Sequence, residues 1–250
     1  YRPVAELMYM DFALMASDEI SNQAGKWHYM VGGAVEVPLV YRVSVGGGKG
    51  YGGQHSQSLE SMFCHIPGLY VAYPSNAYDA KGLLKTAIRN NNPVMFVESQ
   101  LLYNEKDVVP EAEYQVPFGQ ARLLREGKDA SLIGWGPAIP DAVKAADQLA
   151  AEGISCDVLD LRTLVPLDWE AVYTSVRKTG RCVVVSQSID IGSFTGEIVA
   201  GIVRECFDDL DAPPLKVGAR NGIAPQASSL EEVFLPRPAD MVAAVKSLVG

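Results

Sequence analysis

Short β-branched runs alternate with segments of helical period in both halves of this chain. That alternation restricts the fold more than any single residue does. In the first half, Val4 to Met10 reads as a strand, Phe12 to Tyr29 as a helix and Pro38 to Val45 as a buried strand. Ser58 to His65 reads as a short helix, Leu69 to Tyr73 as a strand, Asn76 to Arg89 as a helix and Val94 to Val97 as a strand. The second half repeats the pattern. Its strands are Ala130 to Gly134, Ser155 to Leu159, Cys182 to Ser186 and an edge strand over Leu215 to Ala219. Its helices are Ile139 to Glu152, Asp168 to Thr179, Gly196 to Phe207 and Ala239 to Val249. Strands separated by helices pair in parallel, so the expected class is α/β, with two mainly parallel α/β domains. The polar stretch Asn104 to Glu126, with Pro110 and Pro117, reads as the connector between them. The expected limits are residues 1–110 for the first domain, 111–128 for the linker and 129–250 for the second domain.

Within this frame one loop points to chemistry. The glycine-rich run Gly46 to Gly50 follows the strand ending at Val45, and Gln54-His55-Ser56-Gln57-Ser58 follows the loop. Parallel α/β sheets place ligands at the C-terminal ends of their strands. Glycine permits close backbone approach, and an imidazole can move protons near neutral pH. A solvated histidine in an ordinary loop is the competing reading. A phosphate loop fits poorly, because Gly50 stands where Ser or Thr would bind magnesium.

Composition excludes several classes. A net charge of −9 with no basic cluster argues against a nucleic-acid surface. The cysteines, Cys64, Cys156, Cys182 and Cys206, form no CxxC pair, so buried free thiols are expected rather than zinc or a disulfide framework. No apolar run is long enough to span a bilayer and none resembles a signal peptide.

Several ordered motifs together resemble one family. They are Pro3-Val-Ala-Glu-Leu-Met-Tyr-Met-Asp-Phe12, Gln54-His-Ser-Gln-Ser58, His65-Ile-Pro-Gly-Leu69, Pro74 to Leu84 and Ala87-Ile-Arg-Asn-Asn-Asn-Pro-Val94. In the second half they are Asp160-Leu-Arg-Thr-Leu-Val-Pro-Leu-Asp168 and Lys178-Thr-Gly-Arg181. Over nearly its whole length the chain resembles the β subunit of the thiamin-diphosphate-dependent E1 component of 2-oxo acid dehydrogenase complexes, of the pyruvate or acetoin type. The resemblance implies a transketolase-like pyrimidine-binding domain followed by a transketolase C-terminal domain. It implies oxidative decarboxylation of a 2-oxo acid, with pyruvate the first choice and acetoin or a branched-chain acid the alternatives. The acyl unit would pass to lipoamide on the E2 acyltransferase.

Further expectations follow from the resemblance. The partners would be an E1 α subunit and a second β subunit in an α2β2 assembly, in the bacterial cytoplasm or the mitochondrial matrix. Thiamin diphosphate would be shared, with its diphosphate and Mg2+ on the α subunit, since the Gly-Asp-Gly signature of that end is absent here. Met8 and Phe12 match residues that pack on the aminopyrimidine, although ordinary core is the default for apolar side chains. His55 matches the active-site histidine, which would protonate bound intermediates and assist acyl transfer. A potassium loop is implied by Leu39, Ala87 and Asn90 through backbone oxygens and Asn92 through its backbone or side-chain oxygen, with Asn90 where relatives often carry Asp. His28 and His65 receive structural roles.

The family's activating glutamate lies upstream of the segment matching Tyr1, and Glu6 is not its counterpart. The first domain is therefore expected to be N-terminally incomplete and the chain alone inactive. A non-catalytic assembly module is the competing class of function, and a fragment of a single-chain transketolase ranks last. Ser186-Gln187 stands where many relatives have Asp-Glu, and Arg220 to Pro225 is leaner in proline. Both departures bear on partner identity.

Overall fold

A computed structural model describes residues 1–250. The first half contributes the strands β1 (Val4–Leu7), β2 (Val40–Val45), β3 (Tyr70–Ala72) and β4 (Val94–Ser99), with helices α1 (Gly25–Met30), α2 (Glu60–Cys64) and α3 (Ala77–Arg89). The second half contributes β5 (Arg122–Arg125), β6 (Ala130–Gly134), β7 (Cys156–Asp160), β8 (Thr163–Val165), β9 (Cys182–Ile189) and β10 (Leu215–Ala219). Its helices are α4 (Ala138–Ala151), α5 (Trp169–Thr179), α6 (Phe194–Cys206), α7 (Ser228–Phe234) and α8 (Pro238–Val249). The first sheet runs β1-β2-β4-β3-β8 and the second β10-β9-β6-β7-β5. All pairs are parallel except β3 with β8 and β5 with β7. The class expected from the alternation is the class found.

Local chemistry sets the helix ends. Asn76 caps α3 by accepting from Asp79 N at 2.8 Å, and Asp168 caps α5 by accepting from Ala171 N at 3.1 Å. Gly180 ends α5 in the left-handed conformation, φ 65°. The strands alternate faces with period two. Tyr41, Val43, Val45, Met95 and Val97 join a core that continues into Ile133, Trp135 and Val184 of the second sheet. Val40, Val94 and Phe96 face the other way, onto Leu83 and Ala87 of α3. A third apolar cluster packs α4 and α8 on the second sheet.

Three features depart from the sequence reading. The helix expected over Phe12 to Tyr29 is a 3₁₀ turn (Met10–Ala16), a π turn (Glu19–Ala24) and α1 in succession. Its buried positions Met10, Ala13, Ile20 and Ala24 keep the spacing of one helical face, so the side-chain pattern alone could not show the change of backbone. The polar connector is docked along α3 and ends in β5. Thr86 Oγ1 donates to Val116 O at 2.7 Å, and the absence of a side chain at Gly82 leaves room for Val116 and Tyr114. Finally, β8 and α7 have no counterpart in the local pattern: β8 forms by pairing with the distant β3, and α7 buries only Glu231.

The two halves meet through buried polar pairs. Arg162 reaches Asp79 at 2.7 Å, with Asp79 wholly buried. Ser75 Oγ donates to Asp160, and Tyr73 N donates to Arg162 O at 2.9 Å. The carboxylate of Glu60, also wholly buried, accepts from Trp135 Nε1 at 3.0 Å and Ser188 Oγ at 2.6 Å. Burial raises the Glu60 pKa, against the lowering effect of these hydrogen bonds.

Candidate active site

The C-terminal ends of β1 and β2 carry the chain into one small region. Past Leu7, Met8 and Phe12 expose 72% and 40% of their surface. Past Val45, the glycine run bends back so that Gly46 N donates to His55 O at 3.1 Å. A Cβ at Gly46 would meet that same oxygen at 2.3 Å, so only glycine closes this turn.

The half-buried His55 ring lies between two aromatic rings. Tyr9 meets it edge-on with centroids 4.6 Å apart, and Phe12 does so at 5.2 Å. Tyr51 packs edge-on against Tyr9 at 6.0 Å. Met8, Phe12 and His55 come from three separate sequence positions, and the fold brings them to the same strand ends. Phe12 touches His55 directly, while Met8 opens onto an adjoining cavity of about 200 Å³ with Tyr9, Arg42, Glu98 and Tyr103. The largest cavity, about 760 Å³, lies elsewhere, between α2 and α6, and is lined by His65 and not by His55.

Beneath Met8 the charges are paired. Arg42 makes a two-pronged contact with Glu98 at 2.5 and 2.9 Å, and Tyr103 donates to Glu98 at 2.8 Å. The hydrogen bond to Glu98 raises the Arg42 pKa, and burial followed by the Glu98 contact raises that of Tyr103. Glu6 sits 3.4 Å from the same Arg42 as an exposed partner.

Several site residues had no sequence signal. Tyr9 packs on the imidazole and Tyr51 on Tyr9, yet aromatic residues in a loop carry no spacing rule. Asp11 is buried; its Oδ1 accepts from Gln57 Nε2 at 2.8 Å and from Gln57 N at 3.3 Å, tying down the chain just past His55. Glu231 accepts from Gly48 N at 2.8 Å and Gly50 N at 2.7 Å, across 183 and 181 residues. His28 is exposed, its Nδ1 2.7 Å from Val35 O. All four cysteines are free, and three are buried.

At the second candidate site three of the expected backbone oxygens, those of Leu39, Ala87 and Asn90, already accept hydrogen bonds. Leu39 O accepts from Val94 N at 2.8 Å and Ala87 O from Asn90 N at 3.2 Å. Asn90 O accepts from the Arg2 guanidinium at 2.8 Å, and Asn92 N donates to Asn90 Oδ1 at 2.9 Å.

Comparison with known proteins follows the same division of the chain. The family model for the transketolase pyrimidine-binding domain matches residues 1–106, and that for the transketolase C-terminal domain matches residues 119–241. The β subunit of acetoin:2,6-dichlorophenolindophenol oxidoreductase of Cupriavidus necator is 44% identical, over 98% of this chain and 72% of the relative. The pyruvate dehydrogenase E1 component subunit beta of Rhizobium meliloti is 43% identical, over 99% of this chain and 54% of its own length. The mitochondrial subunit beta-1 of Arabidopsis thaliana is 41% identical, over 98% of this chain and 69% of its own length. Among solved structures, a split-gene transketolase described as an inactive beta4 tetramer superposes with a TM-score of 0.79 at 24% identity, covering 99% of this chain and 76% of that one. That likeness is one of fold.

Proposed function

Since the chain belongs to the family of E1 component β subunits built from a transketolase pyrimidine-binding domain and a transketolase C-terminal domain, we propose that it is the β subunit of a thiamin-diphosphate-dependent 2-oxo acid dehydrogenase. The reading has the chain act with an E1 α subunit and a second β subunit and pass an acyl unit to lipoamide on E2. The relatives named for pyruvate and for acetoin match at 43% and 44%, so identity leaves both substrates in play. The observation that carries the reading is the exposed apolar pair Met8 and Phe12 standing at the strand ends where Phe12 packs on His55.

The residues present fit one end of the cofactor. Met8 and Phe12 offer a partly exposed apolar wall, as a flat ring from outside requires. We assign the diphosphate and Mg2+ to the α subunit, since this chain lacks the Gly-Asp-Gly signature of that end. When bound, the cofactor supplies carbanion stabilisation at its thiazolium. His55 contributes general acid–base chemistry, its imidazole supplying the proton that a lipoyl sulfur takes up as the acyl unit is transferred. Tyr9 and Phe12 orient that ring.

The segment that follows Phe12 also exposes Leu14, Met15, Trp27, Tyr29 and Met30, which suits subunit contact. A potassium ion in the turn after α3 would draw on Leu39, Ala87 and Asn92, with Asn90 O shared with Arg2. The domain limits we propose remain 1–110 and 129–250, joined by 111–128. No helix is long and apolar enough to cross a membrane, and the bacterial cytoplasm or the mitochondrial matrix is the proposed location.

The test is reconstitution with the α subunit of this chain joined to a segment that supplies the family's upstream glutamate, and assay on pyruvate, branched-chain 2-oxo acids and acetoin. Turnover of one of them, dependent on thiamin diphosphate, supports the reading. Failure on all three, with assembly intact, favours the assembly module.

A further inference from the structure

The glycine loop that carries His55 is gripped from the other domain. Gly48 and Gly50 both adopt positive φ, 89° and 71°, which turns their N–H groups to one side. Successive N–H groups turned this way form a concavity that binds an anion. Here the anion is the carboxylate of Glu231 on α7, with one oxygen on each N–H, at 2.8 and 2.7 Å. Glu231 is 3% exposed. Its two backbone donors therefore satisfy a buried carboxylate, and charge-assisted bonds of this kind are the strong ones. The loop transmits the grip, since Gly46 N donates to His55 O at 3.1 Å and His55 N to Gly52 O at 3.4 Å. Gln187 supports the same loop, its Nε2 3.4 Å from Gly47 O.

We infer that Glu231 is a positioning residue for His55: the second domain sets the place of the imidazole by holding Gly48 and Gly50. Asp11 secures the other flank through Gln57, but it belongs to the first domain. The location of His55 then depends on how the two domains dock. This inference rests on His55 being the acid–base group proposed above.

The experiment compares wild type, Glu231→Ala and Glu231→Gln, each assembled with the α subunit. Amide hydrogen exchange is read over residues 46–58, together with the rate at which diethyl pyrocarbonate modifies His55. In Glu231→Ala, exchange at the Gly48 and Gly50 amides should rise about tenfold or more, with the rest of the chain unchanged. His55 modification should change with it. kcat for acyl transfer should fall about tenfold while KM for the 2-oxo acid stays near wild type. Glu231→Gln keeps one acceptor oxygen in nearly the same shape, so it should fall between wild type and alanine, and it serves if alanine fails to fold. Wild-type exchange over 46–58 in both variants would overturn the inference, as would increased exchange spread evenly over the chain. If the local exchange changes but wild type turns over no 2-oxo acid or acetoin, the grip stands and the functional reading fails.

Discussion

Asp160 offers a quantitative test of how the domains are joined. It ends β7, is wholly buried, and accepts from Ser75 Oγ and from Arg162 N at 3.0 Å. Burial lifts its pKa from 3.8 to about 6, outweighing the hydrogen bonds from Ser75 and Arg162. The folded protein therefore holds a proton on Asp160 over a pH range in which the unfolded chain has released it. Folding stability falls with pH wherever the native state binds more protons. The contribution is intact below the unfolded pKa, near 3.8, and is lost as pH rises through about 6. At about 1.4 kcal/mol per unit, the loss amounts to roughly 3 kcal/mol. Asp160→Asn removes the titration while its amide can keep an acceptor for Arg162 N and offer a donor to Ser75. Urea unfolding of both proteins at pH 4, 5, 6 and 7 isolates the effect. The difference between wild type and Asp160→Asn should drift by roughly 3 kcal/mol in favour of the variant between pH 4 and 7. Curves that stay parallel within about 0.5 kcal/mol would refute the reasoning.

Other expectations concern the site. His55→Ala should cut reductive acylation of lipoamide by about 10² to 10⁴ while the melting temperature stays put, and near-normal acetyl transfer would sink the acid–base role. Phe12→Ala, at a side chain already 40% exposed, should cost little stability. In complex with the α subunit it should weaken thiamin diphosphate binding about tenfold by titration calorimetry, since apolar contact with the ring is lost. Replacing Na+ with K+ should raise the melting temperature by about 2–4 °C if the turn after α3 binds potassium, and Asn92→Ala should abolish the difference. Equal melting in both salts would remove that site.

The alternation of strand and helix was legible because each element is long enough to show its period. Asn76, Asp168 and Gly180 marked helix ends through chemistry that acts over three or four residues. His55 stood out because imidazole and glycine carry local meaning, and Met8 and Phe12 gained theirs from the resemblance. β8 forms by pairing with the distant β3 and α7 buries only Glu231, so neither shows a local pattern. The same limit hid the parts of the site that act at a distance. Tyr9 meets His55, and Tyr51 meets Tyr9, only when the glycine loop folds back on the chain past β1.

What the sequence alone determined, then, is most of the elements, their mainly parallel class and the loop that carries the imidazole, because these depend on near neighbours along the chain. Tertiary structure alone decided which groups hold that loop. Glu60, Asp160 and Glu231 are ordinary acidic residues until folding buries each against a partner from the other domain. A buried carboxylate must find donors, and donors 75 to 183 residues away are brought within reach only by the docking of two sheets.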